Sequence, residues 1–293
     1  VIRALLLAAL IGAGAAAHAA DVPGLVTILD GDALVYRGSG RLQAAEGVRL
    51  AAGDIVHTGP GAFMQVELPG DAVAQLGPDT QLMLAPVAAR MPERSLYLLS
   101  GWVKLTRPAA AGFELRTPWA DLPPADSVLV LQSTPAQQRL FVERGEVKLV
   151  ERGAGAADAP VLLKATQTYL RKPGVPGQPN APGVMAGIVK DMPTGYRDTL
   201  PRRAAKWKDK PVSPRPAPDF VYADVEPWLK AEAPLRKPLV RQWRAKARDA
   251  AFRSALIANL PAHPEWDPIL FPEKYLPKPA SSAARNAQAA TTR

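Results

Sequence analysis

Residues able to do chemistry are few here and far apart. The 293-residue chain has three histidines, His18, His57 and His263, and no cysteine. A zinc or copper site draws three or four ligands together, and none of these histidines stands at ligand spacing from another or from a carboxylate pair. The lack of cysteine removes disulfides, thiolate metal sites, cysteine nucleophiles and a lipid-modified N-terminal cysteine. No Gly-x-Ser-x-Gly elbow presents a nucleophilic serine. Asp30-Gly31-Asp32 and Gly53-Asp54 lack the run of oxygen ligands of a calcium loop, and turn chemistry accounts for both. A carboxylate pair for glycoside hydrolysis is set by tertiary geometry and leaves no linear trace. A non-catalytic protein without cofactor or metal is therefore the leading expectation. A polysaccharide (peptidoglycan) hydrolase or a glycan-binding protein is the alternative.

What remains is recognition chemistry, an aromatic beside a cation. In the run Gly101-Trp102-Val103-Lys104-Leu105, alternation sends Val103 and Leu105 to a core and leaves Trp102 on the other face with Lys104 and Thr106. That pair suits contact with a glycan or a protein partner, or packing against a second sheet or the C-terminal module. Arg116 and Trp119 form a second such pair, and Trp243 and Arg244 a third. These six are the candidate partner-binding residues.

The elements that must position them change along the chain. Arg3, an apolar run from Ala4 to Ala17, and Ala17-His18-Ala19 before polar sequence have the pattern of a secretory signal peptide spanning 1–19, cleaved near Ala19. The expected mature protein is soluble and periplasmic, with no transmembrane segment. From Val22 to about Pro173, short apolar runs recur every 8–12 residues between Gly, Asp and Pro, as in an all-β sandwich or solenoid. Val26 to Tyr36 reads as a hairpin around Asp30-Gly31-Asp32. Leu96 to Arg107 matches Leu140 to Glu151, sharing Leu-aromatic, a glycine, then Val-Lys-Leu; a fainter copy runs from Val26 to Arg37 with Gly31 at the glycine position. Such a repeat suits a stacked hairpin unit turning or bulging at its glycine.

Past Arg171 the texture is proline-rich and basic. Residues 21–170 carry 13 Lys/Arg against 16 Asp/Glu, whereas residues 171–293 carry 22 against 11. Residues 173–218 read as a linker, stiffened by proline and containing Arg202 to Lys210. Asp224 to Leu229 has the acidic start and early proline of a helix N-terminus. Apolar residues at Leu239, Val240, Trp243, Ala247, Ala250, Ala251, Ile257 and Leu260 predict one amphipathic helix from Pro238 to Leu260, with Arg241, Arg244, Lys246 and Arg248 on its other face. This basic, tryptophan-bearing region (Trp207, Trp228, Trp243) has three readings: docked on the β region, bound to an anionic surface, or bound to a protein. Residues 278–293 have the composition of a disordered tail.

Gly47-Val48-Arg49-Leu50-Ala51-Ala52-Gly53-Asp54-Ile55-Val56-His57-Thr58-Gly59 resembles the signature of the FecR-domain family, Leu-x-x-Gly-Asp-x-Val-x-Thr. Ala62 to Leu68, Asp71 to Gly77 and Pro78 to Leu82 are similar to its next stretch, Leu98 to Leu105 to its Leu-x-x-Gly-x-Val strand, and Phe113 to Ala120 to its Phe-x-Val-x-Thr-Pro-x-Ala segment. Pro123 to Ser127 depart from the family's Gly-Thr after that strand. The resemblance covers residues 25 to about 172. It implies a β domain used in periplasmic sensing, where relatives join it to a membrane helix and a cytoplasmic anti-sigma segment and receive signals during iron-siderophore uptake. With the expected leader in the place of those parts, it implies a fold and a binding role, not direct control of a sigma factor.

The expected organisation is a mainly β, FecR-like sandwich or solenoid of short antiparallel strands at 22–172, a Pro-rich basic linker at 173–218, and a small helical module at 219–277. The expected role is non-catalytic binding or scaffolding for signalling. In an exported protein the partner is expected to be an envelope protein or an anionic envelope polymer, not nucleic acid.

Overall fold

A computed structural model describes residues 24–86 and 91–276. The expected leader (1–19) and tail (278–293) lie outside the described residues. Eight strands come first: β1 (Gly24–Asp30), β2 (Ala33–Arg37), β3 (Gly40–Gln43), β4 (Arg49–Leu50), β5 (Ile55–Thr58), β6 (Phe63–Glu67), β7 (Val73–Leu76) and β8 (Gln81–Leu84). Next come the 13-residue β9 (Ser95–Arg107), β10 (Glu114–Arg116), β11 (Ala120–Leu122), β12 (Ser127–Ser133), the 14-residue β13 (Gln138–Glu151), β14 (Val161–Lys164) and β15 (Thr168–Arg171). Two short strands follow, β16 (Gln178–Pro179) and β17 (Arg215–Pro216). The domain is mainly β, as the turn-punctuated texture predicted, and every ladder but one is antiparallel: β10 runs parallel to β9.

The strands form two layers sharing β9 and β13. One layer runs β4-β1-β6-β7, the second half of β9, β12, the first half of β13, β15 and β16. The other runs β17-β3-β2-β5-β8, the first half of β9, β10, β11 and the second half of β13, with β14 at its edge. Between them lies one apolar core, which includes Val26, Val35, Val56, Met64, Leu98, Val103, Leu105, Leu131, Leu140, Val147 and Leu149.

This connectivity corrects the reading of the repeat. Each strong copy is one long strand that bends at its glycine and passes from one sheet to the other, not a hairpin. Gly101 and Gly145 have φ of +98° and +79°. A Cβ at either would run into backbone, Thr80 Cα beside Gly101 and the Asp126 carbonyl beside Gly145, so only glycine fits the bend. The fainter copy obeys the same rule. β1 pairs with β4 and β6 while β2 pairs with β3 and β5, so the expected Val26–Tyr36 hairpin is instead another crossing between sheets, at Gly31.

Both outer faces are partly covered. Residues 173–218, read from the sequence as a linker, run as a strap across the first sheet. The strap holds α1 (Val184–Asp191) and the fully buried Tyr196, whose hydroxyl donates to Gln75 O at 2.9 Å. Further along, Pro201 O accepts from Gln65 Nε2 at 3.1 Å, and β17 pairs with β3.

The outer face of the second sheet carries Tyr36, Ile55, Met83 and Tyr97, and the helical module packs onto it. Its helices are α2 (Tyr222–Leu229), α3 (Ala233–Gln242), α4 (Ala250–Ala258) and the single turn α5 (Asp267–Leu270). The single helix expected from Pro238 to Leu260 is broken. Trp243 and a 3-10 turn, Arg244–Arg248, follow α3, and Asp249 then caps α4 by accepting from Phe252 N at 2.7 Å; an N-cap residue leaves the helical conformation, which forces the break. Among the described residues no helix is long and apolar enough to cross a membrane.

Candidate functional site

The residues that carry the family resemblance hold turns. Asp54 is buried; its carboxylate accepts from Ala51 N at 2.7 Å and from Arg37 Nε at 2.9 Å. Donating that hydrogen bond to Asp54 raises the Arg37 pKa above its ordinary value. Thr58 Oγ1 donates to Gly77 O at 2.6 Å and accepts from Thr80 N at 2.9 Å. Thr117 Oγ1 donates to Gln138 Oε1 at 2.6 Å and accepts from Trp119 N and Ala120 N. These side chains satisfy buried polar groups at the ends of strands and are not presented to a ligand.

Neither described histidine is in a metal cluster, and no group of three or more His, Asp or Glu able to hold a metal occurs among the described residues. His57 is half-buried on β5, with its pKa lowered by burial against the opposing pull of Asp79 and Asp224. His263 is fully buried in the helical module, its Nε2 3.1 Å from the Tyr222 hydroxyl and its Nδ1 without a protein partner. Burial lowers its pKa below 6.5, helped by Lys230 and Arg236 and opposed by a backbone hydrogen bond and by Glu265. The unfolded chain therefore takes up this proton first on acidification. His263 contributes full stability above about pH 7.5, and that contribution falls as pH drops through 6.5 towards the lower folded pKa. Urea unfolding at pH 8 and pH 5.5 should show a larger loss of stability on acidification in the wild type than in His263→Gln; equal losses would refute this.

The six candidate residues fall in three places. Trp102 lies on the outer face of β9, as alternation predicted, yet only 8% of it is exposed. The strap covers it with Val184, Ile188 and Tyr196, and the Arg139 guanidinium sits 5.5 Å from its ring. Lys104 donates to Tyr196 O at 2.6 Å and pairs with Glu143 at 2.9 Å. Both mainly fasten the strap. Arg116 pairs with Glu114 at 2.6 Å and approaches Asp121 at 3.7 Å. Trp119, half-buried, donates from Nε1 to Thr134 O at 3.1 Å. Trp243 is fully buried, its Nε1 donating to Gly38 O at 3.0 Å, so it docks the module. Trp207 belongs to the strap instead, where Lys206 stacks on its ring at 4.5 Å. Of the six, Arg244 alone is exposed.

A chain of charges joins sandwich to module beside Arg116. Asp121 Oδ1 lies 3.3 Å from Arg152 Nη1, and Arg152 Nη2 binds Glu232, the residue immediately before α3. Burial raises the Asp121 pKa, although Arg152 and Arg116 pull it down. Tyr97 is raised by burial and by Glu232. Every member is matched by a neighbour of opposite sign, so this is a latch and not a docking site for an outside ion.

The module leaves several basic side chains to solvent. Leu235, Leu239, Trp243 and Ala247 face inward, while Lys237, Arg241, Arg244 and Arg248 are exposed at spacings of four, three and four residues. Lys237 and Arg241, four apart on α3, share a helix face, while Arg244 and Arg248 begin and end the 3-10 turn that follows it. Among the described residues none of these four side chains has a carboxylate within 4.0 Å, and Asp249 is the exposed acidic neighbour in sequence. Sequence reasoning named Arg241, Arg244 and Arg248 but missed Lys237, and it misassigned Lys246. Lys246 is buried, lies 3.9 Å from the Phe220 ring and pairs with Asp219, whose pKa that hydrogen bond lowers. Counting from the buried Leu239, Trp243 and Ala247 would have separated the two.

No family model matches the chain, and no curated protein matches it. Among solved structures, two crystal structures of a candidate anti-sigma factor from Parabacteroides distasonis ATCC 8503 match part of it. One has a TM-score of 0.38 at 14% identity, covering 47% of this chain and 64% of that one. The other has a TM-score of 0.37 at 16% identity, covering 46% of this chain and 64% of that one. The matches thus span less than two thirds of those chains.

Proposed function

We propose that this is a non-catalytic binding and signalling-scaffold protein of the bacterial periplasm, built on a FecR-like β domain, whose helical module binds an anionic partner. That partner is an anionic envelope polymer or the acidic face of an envelope protein. The observation that carries the reading is the exposed stripe Lys237, Arg241, Arg244 and Arg248, set on a module anchored to a rigid sandwich. Cationic side chains with no direct carboxylate partner raise the local potential and draw in polyanions. The tryptophans of the module are spent on docking, so the contact is electrostatic and sensitive to salt.

Heparin serves as a polyanion probe. Changing the four stripe residues to Gln should weaken binding by about ten-fold or more at low salt. The same neutralisation at Lys206, Lys208 and Lys210 on the strap should weaken it far less. Equal affinity of wild type and stripe variant, or a dominant effect of the strap variant, would overturn the assignment.

A further inference from the structure

Where β9 bends from one sheet to the other, the strap does not close over it completely. A cleft of about 350 Å³ remains on the strap side, within the range of roughly 300–1,000 Å³ common for small-molecule sites. Four separate segments build it: the β7–β8 turn, the bend of β9, the end of β12 with its turn into β13, and the C-terminal end of α1 with the residues after it.

We propose that this cleft binds a neutral or amino sugar, such as the end of a glycan chain. Three features of the wall support this. Its apolar lining is Trp102 with Pro78, Pro135 and Pro193, ring residues of the kind that pack against the C–H faces of a pyranose. Its polar lining residues are short and come from different elements, among them Asp79, Ser100 and Gln132. Gln132 Oε1 is already held by Arg139 Nε at 2.8 Å, which leaves its NH₂ to donate. Neighbouring hydroxyls of a sugar present alternating donors and acceptors, and this set answers them. The third feature is charge. Asp79 and Asp191 line the cleft and no Lys or Arg does; Arg139 lies behind, binding Asp191 at 2.9 Å. An anionic ligand is disfavoured, in contrast to the stripe on the module, and the cleft does not depend on that stripe.

Asp79 gives a clean probe. Its φ is +51°, a left-handed conformation that Asn tolerates as well as Asp, so Asp79→Asn removes the charge without straining the turn. The ¹H–¹⁵N spectrum of the mature chain should be titrated with triacetylchitotriose and with maltotriose. At least one should give saturable shifts at Ser100–Trp102 and Gln132–Thr134. Asp79→Asn/Ser100→Ala should weaken that binding about ten-fold while the rest of the spectrum is unchanged. No saturable shift with either sugar up to about 10 mM, shifts unaffected by the double substitution, or a response to spermidine alone would overturn the proposal, the last marking a cation site.

Discussion

Replacing Arg171 by Met should lower the unfolding free energy by about 3–5 kcal/mol, the loss typical when one partner of a buried ion pair is removed. Arg171 and Glu151 side chains are 1% and 0% exposed. Nη1 of Arg171 donates to Glu151, to Gly155 O at 2.9 Å and to Val175 O at 2.7 Å, while Nη2 reaches Arg152 O and Ala154 O at 3.2 Å. Glu151 in turn accepts from Tyr169 Oη at 2.7 Å and from Ala157 N and Gly177 N at 2.8 Å. Two irregular segments, the β13–β14 connection and the turn after β15, are thus tied to one guanidinium. Burial alone would raise the Glu151 pKa. The hydrogen bonds and Arg171 outweigh burial and hold it below 4.5.

The sign of the pH dependence follows. A carboxylate with a depressed folded pKa contributes stability that is complete above its unfolded value and is lost as pH falls through the folded one. In Arg171→Met the charge of Glu151 is left buried without its partner, so the penalty should be large at pH 7 and shrink towards pH 4 as that carboxylate protonates. Glu151→Gln/Arg171→Met keeps an acceptor for part of the network and removes the stranded charge, so it should lie closer to wild type at pH 7 than Arg171→Met does. Urea unfolding of the three proteins at both pH values decides it. A single variant within about 1 kcal/mol of wild type would mean that the pair is dispensable.

How far the sequence reveals this molecule depends on whether an interaction is periodic or convergent. Alternation placed Val103 and Leu105 in the core and Trp102 outside, because a strand's side chains have period two whatever it packs on. The glycine of the repeat was visible too, but its meaning was not. A hairpin and a bend between sheets both require a glycine, and only pairing partners far away in sequence distinguish them. The proline-rich strap looked like a linker because composition reports backbone stiffness, while its attachment rests on single contacts such as Tyr196 to Gln75, 121 residues apart. The same limit applies to the sites. Lys237 and Arg241 follow a helical period and could be read from the sequence, whereas the break at Trp243 that puts Arg244 and Arg248 in a 3-10 turn could not. The cleft draws Asp79, Ser100, Gln132 and Asp191 from four segments, and nothing in their spacing announces it.

The second large effect concerns the joint between module and sandwich. Trp228 is 1% exposed and sits 6.2 Å, ring to ring, from Tyr97 on the second sheet. Truncating a buried tryptophan removes its transfer free energy and leaves a cavity, so Trp228→Ala should cost about 3–5 kcal/mol. Where that loss appears is the informative part. The sandwich core lies on the inner side of Tyr97's sheet and does not include Trp228, whereas Trp228, Trp243 and Phe220 belong to the module's own cluster with the sheet's outer face. Amide exchange should therefore speed up through residues 222–270 and along the Arg152–Glu232 latch, while β9, β12 and β13 keep their protection, as expected when one cooperative unit opens without the other. Because the stripe is useful only while the module is held in shape, heparin binding should weaken together with that protection. Uniform loss of protection through both parts would mean instead that sandwich and module fold as a single unit, with the module's packing as necessary to the β core as the core's own side chains.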